Sequence, residues 1–292
     1  MDLIRRDIQE GNSYVCLNDA DTVVGTFYCR YGKDAEPSYR KITEGHWLDE
    51  SPYAVIHRIA SDGSEPGIGK FCIEYAYRNW GHLRIDTHGD NTVMQRLLAK
   101  DGFVHCGTIY VPQDTDPRLA YEKSEAAIKQ GMRQFVRKAE EADLPRIAEI
   151  EIFNYRLYFY PIFRNDLFYF RELSVPSLME SYREKLEHLL VYDDGAVKGF
   201  AETEGTELRK LFVEPVLHGR RIGEALLDTA ADTRGTDHLW ALEKNIRGIA
   251  FYKRHGFAET GIRKPEEDTE EYLLLLRRNP QNSESSEFIR EK

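Results

Sequence analysis

The chain repeats itself at an offset of 154 residues, and this repeat constrains the fold more than any other feature. The segment beginning at Asn91 and ending at Phe103 lies over the segment beginning at Asn245 and ending at Phe257, with Asn, Gly and Phe matching at identical spacing. The same offset carries Gly69 onto Gly223, and each of these glycines precedes its Asn by 22 residues. A period this long marks a duplicated domain and not a short-period solenoid. Each copy reads alike. A β-rich run (53–60, 207–214) leads through a Gly-containing turn into an amphipathic helix, a short strand (82–88, 238–244) and a second helix of roughly three turns. The shared Asn suits the N-cap of that second helix, and the shared Gly suits the position just past its end.

The second copy, 132–278, reads as complete. An opening strand is expected at 132–139, helices at 146–158 and 177–189, and a hairpin at 189–202 turning on Asp194-Gly195. The first copy, 1–123, starts late: its hairpin falls at about 13–31, so the opening strand and helix pair are missing, and an extra loop fills 32–52. A linker is expected at 124–131 and a polar, disordered tail at 279–292.

Composition bounds the function. The 292 residues suffice for two cores, and 41% hydrophobic with 12% aromatic content is globular. The net charge is −10, and residues 1–130 hold 15 Lys/Arg against 20 Asp/Glu, so neither half is basic. That argues against a nucleic-acid partner and suits cationic, amine-bearing ones. Cys16, Cys29, Cys72 and Cys106 form no CxxC pair and read as reduced thiols of a cytoplasmic protein. The first twelve residues hold no apolar stretch and no apolar run of about 20 residues occurs, so neither a signal peptide nor a membrane span is expected.

A strand running into His218-Gly219-Arg220-Arg221-Ile222-Gly223 and then a helix is a candidate anion site. Backbone N–H groups at a helix N-terminus point at a phosphate, and the helix dipole favours negative charge. Taken with LFVEP before it and ALEKN and AFYKRHGF after it, this segment resembles the GNAT superfamily of acyl-CoA N-acyltransferases, in order and spacing across 132–278. It departs from the family pattern at His218, where Gln or Arg is usual, and at Arg221, which replaces a glycine.

The resemblance implies an α/β fold of the α+β type: two GNAT-like domains, each a mixed, mainly antiparallel sheet flanked by helices, the first truncated at its N-terminus. It implies acetyl-CoA as co-substrate, no metal, and a small-molecule or peptide amine as acceptor, acetylated by direct attack in a ternary complex. A non-enzymatic CoA-binding sensor is the alternative, and a homodimer is among the open assemblies. The cofactor would be held by Leu211, Phe212 and Val213 on the strand, by the 218–223 loop, and by Asn245. Tyr252, seven residues after Asn245 on the same helix face, falls where the family places the acid that protonates the departing thiolate. Glu207, at the start of the strand, falls where histone-type members carry a base; Glu214 and Glu243 are alternatives.

The first copy keeps Gly67 and Gly69 but has Leu98 in the place of Tyr252 and Tyr53 in the place of Glu207, so it reads as structural or regulatory. The alternation Asp86-Thr-His88-Gly-Asp90 lacks further ligands and reads as a strand end entering a helix cap. The aromatic run 152–170 reads either as core packing or as an acceptor pocket lined by Tyr155, Tyr158 and Tyr160.

Overall fold

The computed structural model describes residues 2–112, 116–267 and 269–278, and the tail expected at 279–292 lies outside them. The chain separates after Gly131 into two compact units.

The first unit runs α1 (Asp2–Gln9), β1 (Ser13–Leu17), β2 (Val23–Gly32), β3 (Tyr53–Ser61), α2 (Ile68–Trp80), β4 (Leu83–His88), α3 (Thr92–Lys100), β5 (Val104–Ile109) and β6 (Arg118–Lys123). Helix α4 (Glu125–Arg133) crosses the boundary. The second unit runs β7 (Val136–Lys138), α5 (Leu144–Asn154), α6 (Tyr160–Phe163), α7 (Val175–Arg183), β8 (Leu189–Asp193), β9 (Val197–Glu204), β10 (Glu207–Val213), α8 (Ile222–Arg234), β11 (His238–Leu242), α9 (Ile246–Arg254), β12 (Phe257–Pro265) and β13 (Tyr272–Arg278).

The repeat is written into the sheets. The first has the order β1-β2-β3-β4-β6-β5, and the second has β8-β9-β10-β11-β13-β12 with β7 added beyond β8. In each, among the described residues, the only parallel pairing joins the two central strands, β3 with β4 and β10 with β11. Helices α3 and α9 are capped alike: Asn91 Oδ1 accepts from Met94 N at 3.1 Å, and Asn245 Oδ1 from Gly248 N at 3.0 Å. Gly102 and Gly256 follow these helices with φ of +83° each, a backbone conformation that glycine adopts without strain.

Several expected boundaries differ: the helix expected at 146–158 is α-helical only to Asn154, and the one expected at 177–189 ends at Arg183, with a 3₁₀ turn at Leu186–His188. The 124–131 stretch is helical because Ser124 Oγ accepts from Ala127 N at 2.9 Å, a cap that starts α4. That helix takes 132 and 133, and the opening strand contracts to β7.

Alternating side chains give each sheet two covered faces. In the second unit Leu190, Ala201, Leu208 and Val213 pack under α8, while Leu189, Val191 and Phe200 pack under α5 and α7 with Ile147, Ile150 and Tyr182. Among the described residues the first unit has no counterpart of α5 and α7. Its 32–52 loop does their work: Ala35, Tyr39 and Trp47 bury themselves against Tyr53, Val55, Ile109 and Ala120. Tyr39 Oη donates to Asp86 Oδ1 at 2.7 Å and Arg118 Nη1 to Oδ2 at 2.7 Å, so the Asp86 carboxylate is an anchor for this plug. Among the described residues no helix is long and apolar enough to cross a membrane.

Candidate functional site

Strand β10 is bonded unequally on its two sides. Toward β9 it pairs from Glu207↔Glu204 to Val213↔Gly199, with a bulge between Leu208 and Lys210. Toward β11 it pairs only at Glu207↔His238 and Leu208↔Leu239. The bulge adds twist, and beyond Leu208 the parallel strands part. The edge of β10 at Leu211, Phe212 and Val213 is thereby left facing a cleft. Gly199 lets this corner close up: a Cβ there would meet Phe212 O at 2.9 Å and Ile222 Cγ2 at 3.2 Å.

The chain leaves β10 through a 3₁₀ turn, Pro215–Leu217, and enters α8 through two left-handed residues, Gly219 at φ +83° and Arg221 at φ +61°. The arginine that replaces the glycine keeps the turn, at the cost of left-handed strain. As the first residues of the helix, Ile222 and Gly223 have no intrahelical acceptor for their N–H groups.

The cleft between β10, the α8 entrance and α9 has a volume of about 330 Å³. It is lined by Leu211, Phe212 and Val213, by His218, Gly219, Arg221, Ile222 and Gly223, and by Asn245 and Tyr252. Two nominated residues lie outside the lining. Arg220 is exposed on the loop. Glu207 stands at the vertex of the splay, about 16 Å along the strand from Phe212 at 3.3 Å per residue, and Arg209 Nη1 donates to its Oε1 at 3.2 Å. The alternatives are held elsewhere: Glu214 by Arg146 at 2.5 Å, and Glu243 by Arg263 at 3.5 Å.

Tyr252 packs edge-on to Phe251 and Phe257, with centroids 5.2 and 5.9 Å away. Burial raises its phenol, so the hydroxyl stays protonated at neutral pH. The Tyr252 carbonyl oxygen accepts from His255 N at 3.0 Å.

The aromatic run divides. Tyr155–Phe159 and Phe168–Glu172 are π-helical, the widened turn that often re-aims side chains at functional sites. Tyr158 and Phe159 line the cleft. Tyr155 turns inward against Phe212, edge-on at 5.5 Å, and Tyr160 Oη donates to Asp166 at 2.8 Å. Behind this wall Glu151, wholly buried, accepts from Lys210 Nζ at 2.7 Å and from Tyr182 Oη at 2.5 Å. Burial and that carboxylate raise the Tyr155 and Tyr182 phenols well above their ordinary range.

Asn154, Glu224, Arg247 and His255 also line the cleft and were not nominated from sequence. Arg247 had a signal: it lies two residues past the capping Asn245, in the same turn. Asn154 had none, being one of two asparagines inside the aromatic run, with Asn165. In the first unit Leu98 and Tyr53, which replace Tyr252 and Glu207, are buried in the core.

A parted pair of central parallel strands opens beside the free amides of a helix entrance, and the segment that builds this cleft resembles a GNAT acetyltransferase domain. Residues 185–259 match the family model described as an acetyltransferase (GNAT) domain. Among curated relatives, peptidyl-lysine N-acetyltransferase YiaC of Escherichia coli (strain K12) is 28% identical over 123 residues, 42% of this chain and 82% of the relative. Peptidyl-lysine N-acetyltransferase YjaB of Salmonella typhimurium is 28% identical over 110 residues, 34% of this chain and 76% of the relative. Among solved structures, apo YjaB from Escherichia coli is 21% identical with a TM-score of 0.39, over 49% of this chain and 95% of that one. YncA from Salmonella typhimurium, solved with acetyl-CoA, is 21% identical with a TM-score of 0.38, over 48% and 90%.

Proposed function

We propose that this protein is an acetyl-CoA-dependent N-acetyltransferase whose second unit carries the chemistry and whose acceptor is a primary amine, a peptide lysine first among the candidates. The supporting observation is that one cleft collects the parted edge of β10, the entrance of α8 and Tyr252. The two curated relatives are named for peptidyl-lysine acetylation, which is why a lysine leads.

The residues fit such a co-substrate. Ile222 and Gly223 present N–H groups to a pyrophosphate, and the backbone of Leu211, Phe212 and Val213 offers a strand-like edge to an amide-bearing arm. When bound, acetyl-CoA supplies an acyl group already activated as a thioester. Tyr252 holds a proton at Oη for the sulfur that leaves. Glu207, at the vertex where the strands divide, is the candidate to take the proton of the amine after releasing Arg209. An ammonium of ordinary pKa, about 10.4, must lose that proton at a cost of about 4–5 kcal/mol at neutral pH.

The first unit, with Leu98 and Tyr53 buried, serves structure or regulation and not the same chemistry. The test is incubation of the full chain with acetyl-CoA and a panel of lysine peptides, free diamines and amino acids, reading thiol release and acetylated product. Transfer to any primary amine supports the assignment. Calorimetric binding of CoA without transfer to any member of the panel replaces it with a CoA sensor. Neither binding nor transfer removes it.

A further inference from the structure

Three side chains from three separate segments meet over the cleft. Arg247, in the first turn of α9, donates from Nη1 to Tyr158 Oη at 3.0 Å and from Nη2 to His218 Nδ1 at 2.8 Å. The His218 ring stacks on Tyr158 with centroids 5.8 Å apart and planes 19° from parallel. Its Nε2 lies 3.1 Å from the carbonyl oxygen of Val213, which can only accept. Nε2 therefore carries the proton, and Nδ1 keeps the lone pair that Arg247 uses. Desolvation, and secondarily the neighbouring guanidinium, lower the pKa of His218 and favour this neutral form.

Both partners of Arg247 are thus uncharged, and among the described residues no carboxylate pairs with it. A guanidinium lining a cleft with neutral partners only is poised for an anion, because its hydrogen bonds to an anion are about twice as strong as those to neutral acceptors. Tyr158 belongs to the π-helical arm and His218 to the loop that enters α8, so at rest Arg247 ties the arm to the loop.

We infer that Arg247 is a phosphate ligand of the nucleotide co-substrate, and that Tyr158 and His218 are its resting partners, surrendered when phosphate arrives. The inference rests on the CoA reading given above and adds to it a side chain and an order of events. The transfer of Arg247 to phosphate unties the Tyr158 arm, so the acceptor side of the site loosens only after the nucleotide is in place.

The test is calorimetric titration of the full chain with CoA for wild type, Arg247→Gln and Tyr158→Phe. Arg247 is exposed and Phe keeps the ring of Tyr158, so thermal unfolding should show both variants folded. Arg247→Gln is expected to weaken CoA by about tenfold to a hundredfold, the range for a hydrogen bond between charged groups. Tyr158→Phe is expected to tighten it by about twofold to tenfold, because one neutral hydrogen bond no longer has to be given up. Repeating the Arg247→Gln titration with 3′-dephospho-CoA assigns the phosphate, and either assignment supports the inference. A loss that persists points to the pyrophosphate, and one that vanishes points to the 3′-phosphate. Wild-type affinity in Arg247→Gln, or unchanged or weaker affinity in Tyr158→Phe, overturns the inference and leaves the proposed function standing. If wild type itself binds no CoA, the function falls first and takes the inference with it.

Discussion

Asn154 donates its side-chain amide to the carbonyl oxygen of Val213 at 3.0 Å, the same oxygen that His218 Nε2 meets at 3.1 Å. Both acceptor positions of that carbonyl are filled at the point where β10 ends and the cleft begins. The helical arm and the loop into α8 are registered on a single peptide group.

Asn154 is 3% exposed and also donates to Ile150 O at 2.8 Å, so its loss leaves two buried carbonyls with fewer donors. Asn154→Ala is expected to cost about 1–3 kcal/mol of stability. Urea unfolding of variant and wild type measures this, and a difference near zero would mean that solvent replaces the amide.

Tyr252→Phe keeps the ring packed against Phe251 and Phe257 and deletes only the proton donor. Acetyl transfer should fall by about 10²–10⁴ while CoA affinity stays within twofold. Equal turnover rates would place the proton elsewhere.

Arg221 pays left-handed strain at φ +61° where the first unit has Gly67 at φ +84°. Arg221→Gly and Arg221→Ala both delete the contact with Glu224 at 3.5 Å, so the comparison isolates the backbone. The Gly variant should be the more stable of the two by about 1 kcal/mol. Thermal melts of the pair decide it, and an Ala variant as stable as the Gly one would show that the turn relaxes.

Lys210 is hydrogen-bonded to buried Glu151, whose other oxygen takes the Tyr182 hydroxyl. Lys210→Met is expected to destabilise by about 2–3 kcal/mol, less than for a fully buried pair because the lysine side chain is 28% exposed. Adding Glu151→Gln should recover part of the loss, since one uncompensated charge goes with it, while Glu202, 3.7 Å from Lys210, keeps Lys185 at 3.4 Å. A double variant as unstable as the single one would show that packing, and not charge, sets the cost.

Burial pushes the thiols of Cys29, Cys72 and Cys106 up to about 12. A thiol raised in the folded state contributes stability that is complete below its unfolded value, near 8.5. That contribution is then lost as pH climbs through about 9–12. Stability should therefore decline across this window, and at pH 8 a thiol reagent should label these cysteines only on unfolding. Rapid labelling of the native protein would contradict their burial.

Local signals were legible in the sequence because they are carried by neighbours along the chain. Asn245 caps α9, Gly256 ends it, and seven residues of helix put Tyr252 on the face of Asn245; these follow from capping and a 3.6-residue period alone. The matched offset likewise implied two copies of one fold, while the strand order that the two sheets share is read from the structure. What the tertiary structure decided depends on pairings between distant segments. The parting of β10 from β11 after Leu208 needs the twist of a whole sheet. The division of the aromatic run, with Tyr158 outward and Tyr155 inward, follows from a widened helical turn that no periodicity encodes. The meeting of Tyr158, His218 and Arg247 joins residues 60 and 89 positions apart, and only the packed fold could bring them within hydrogen-bonding distance.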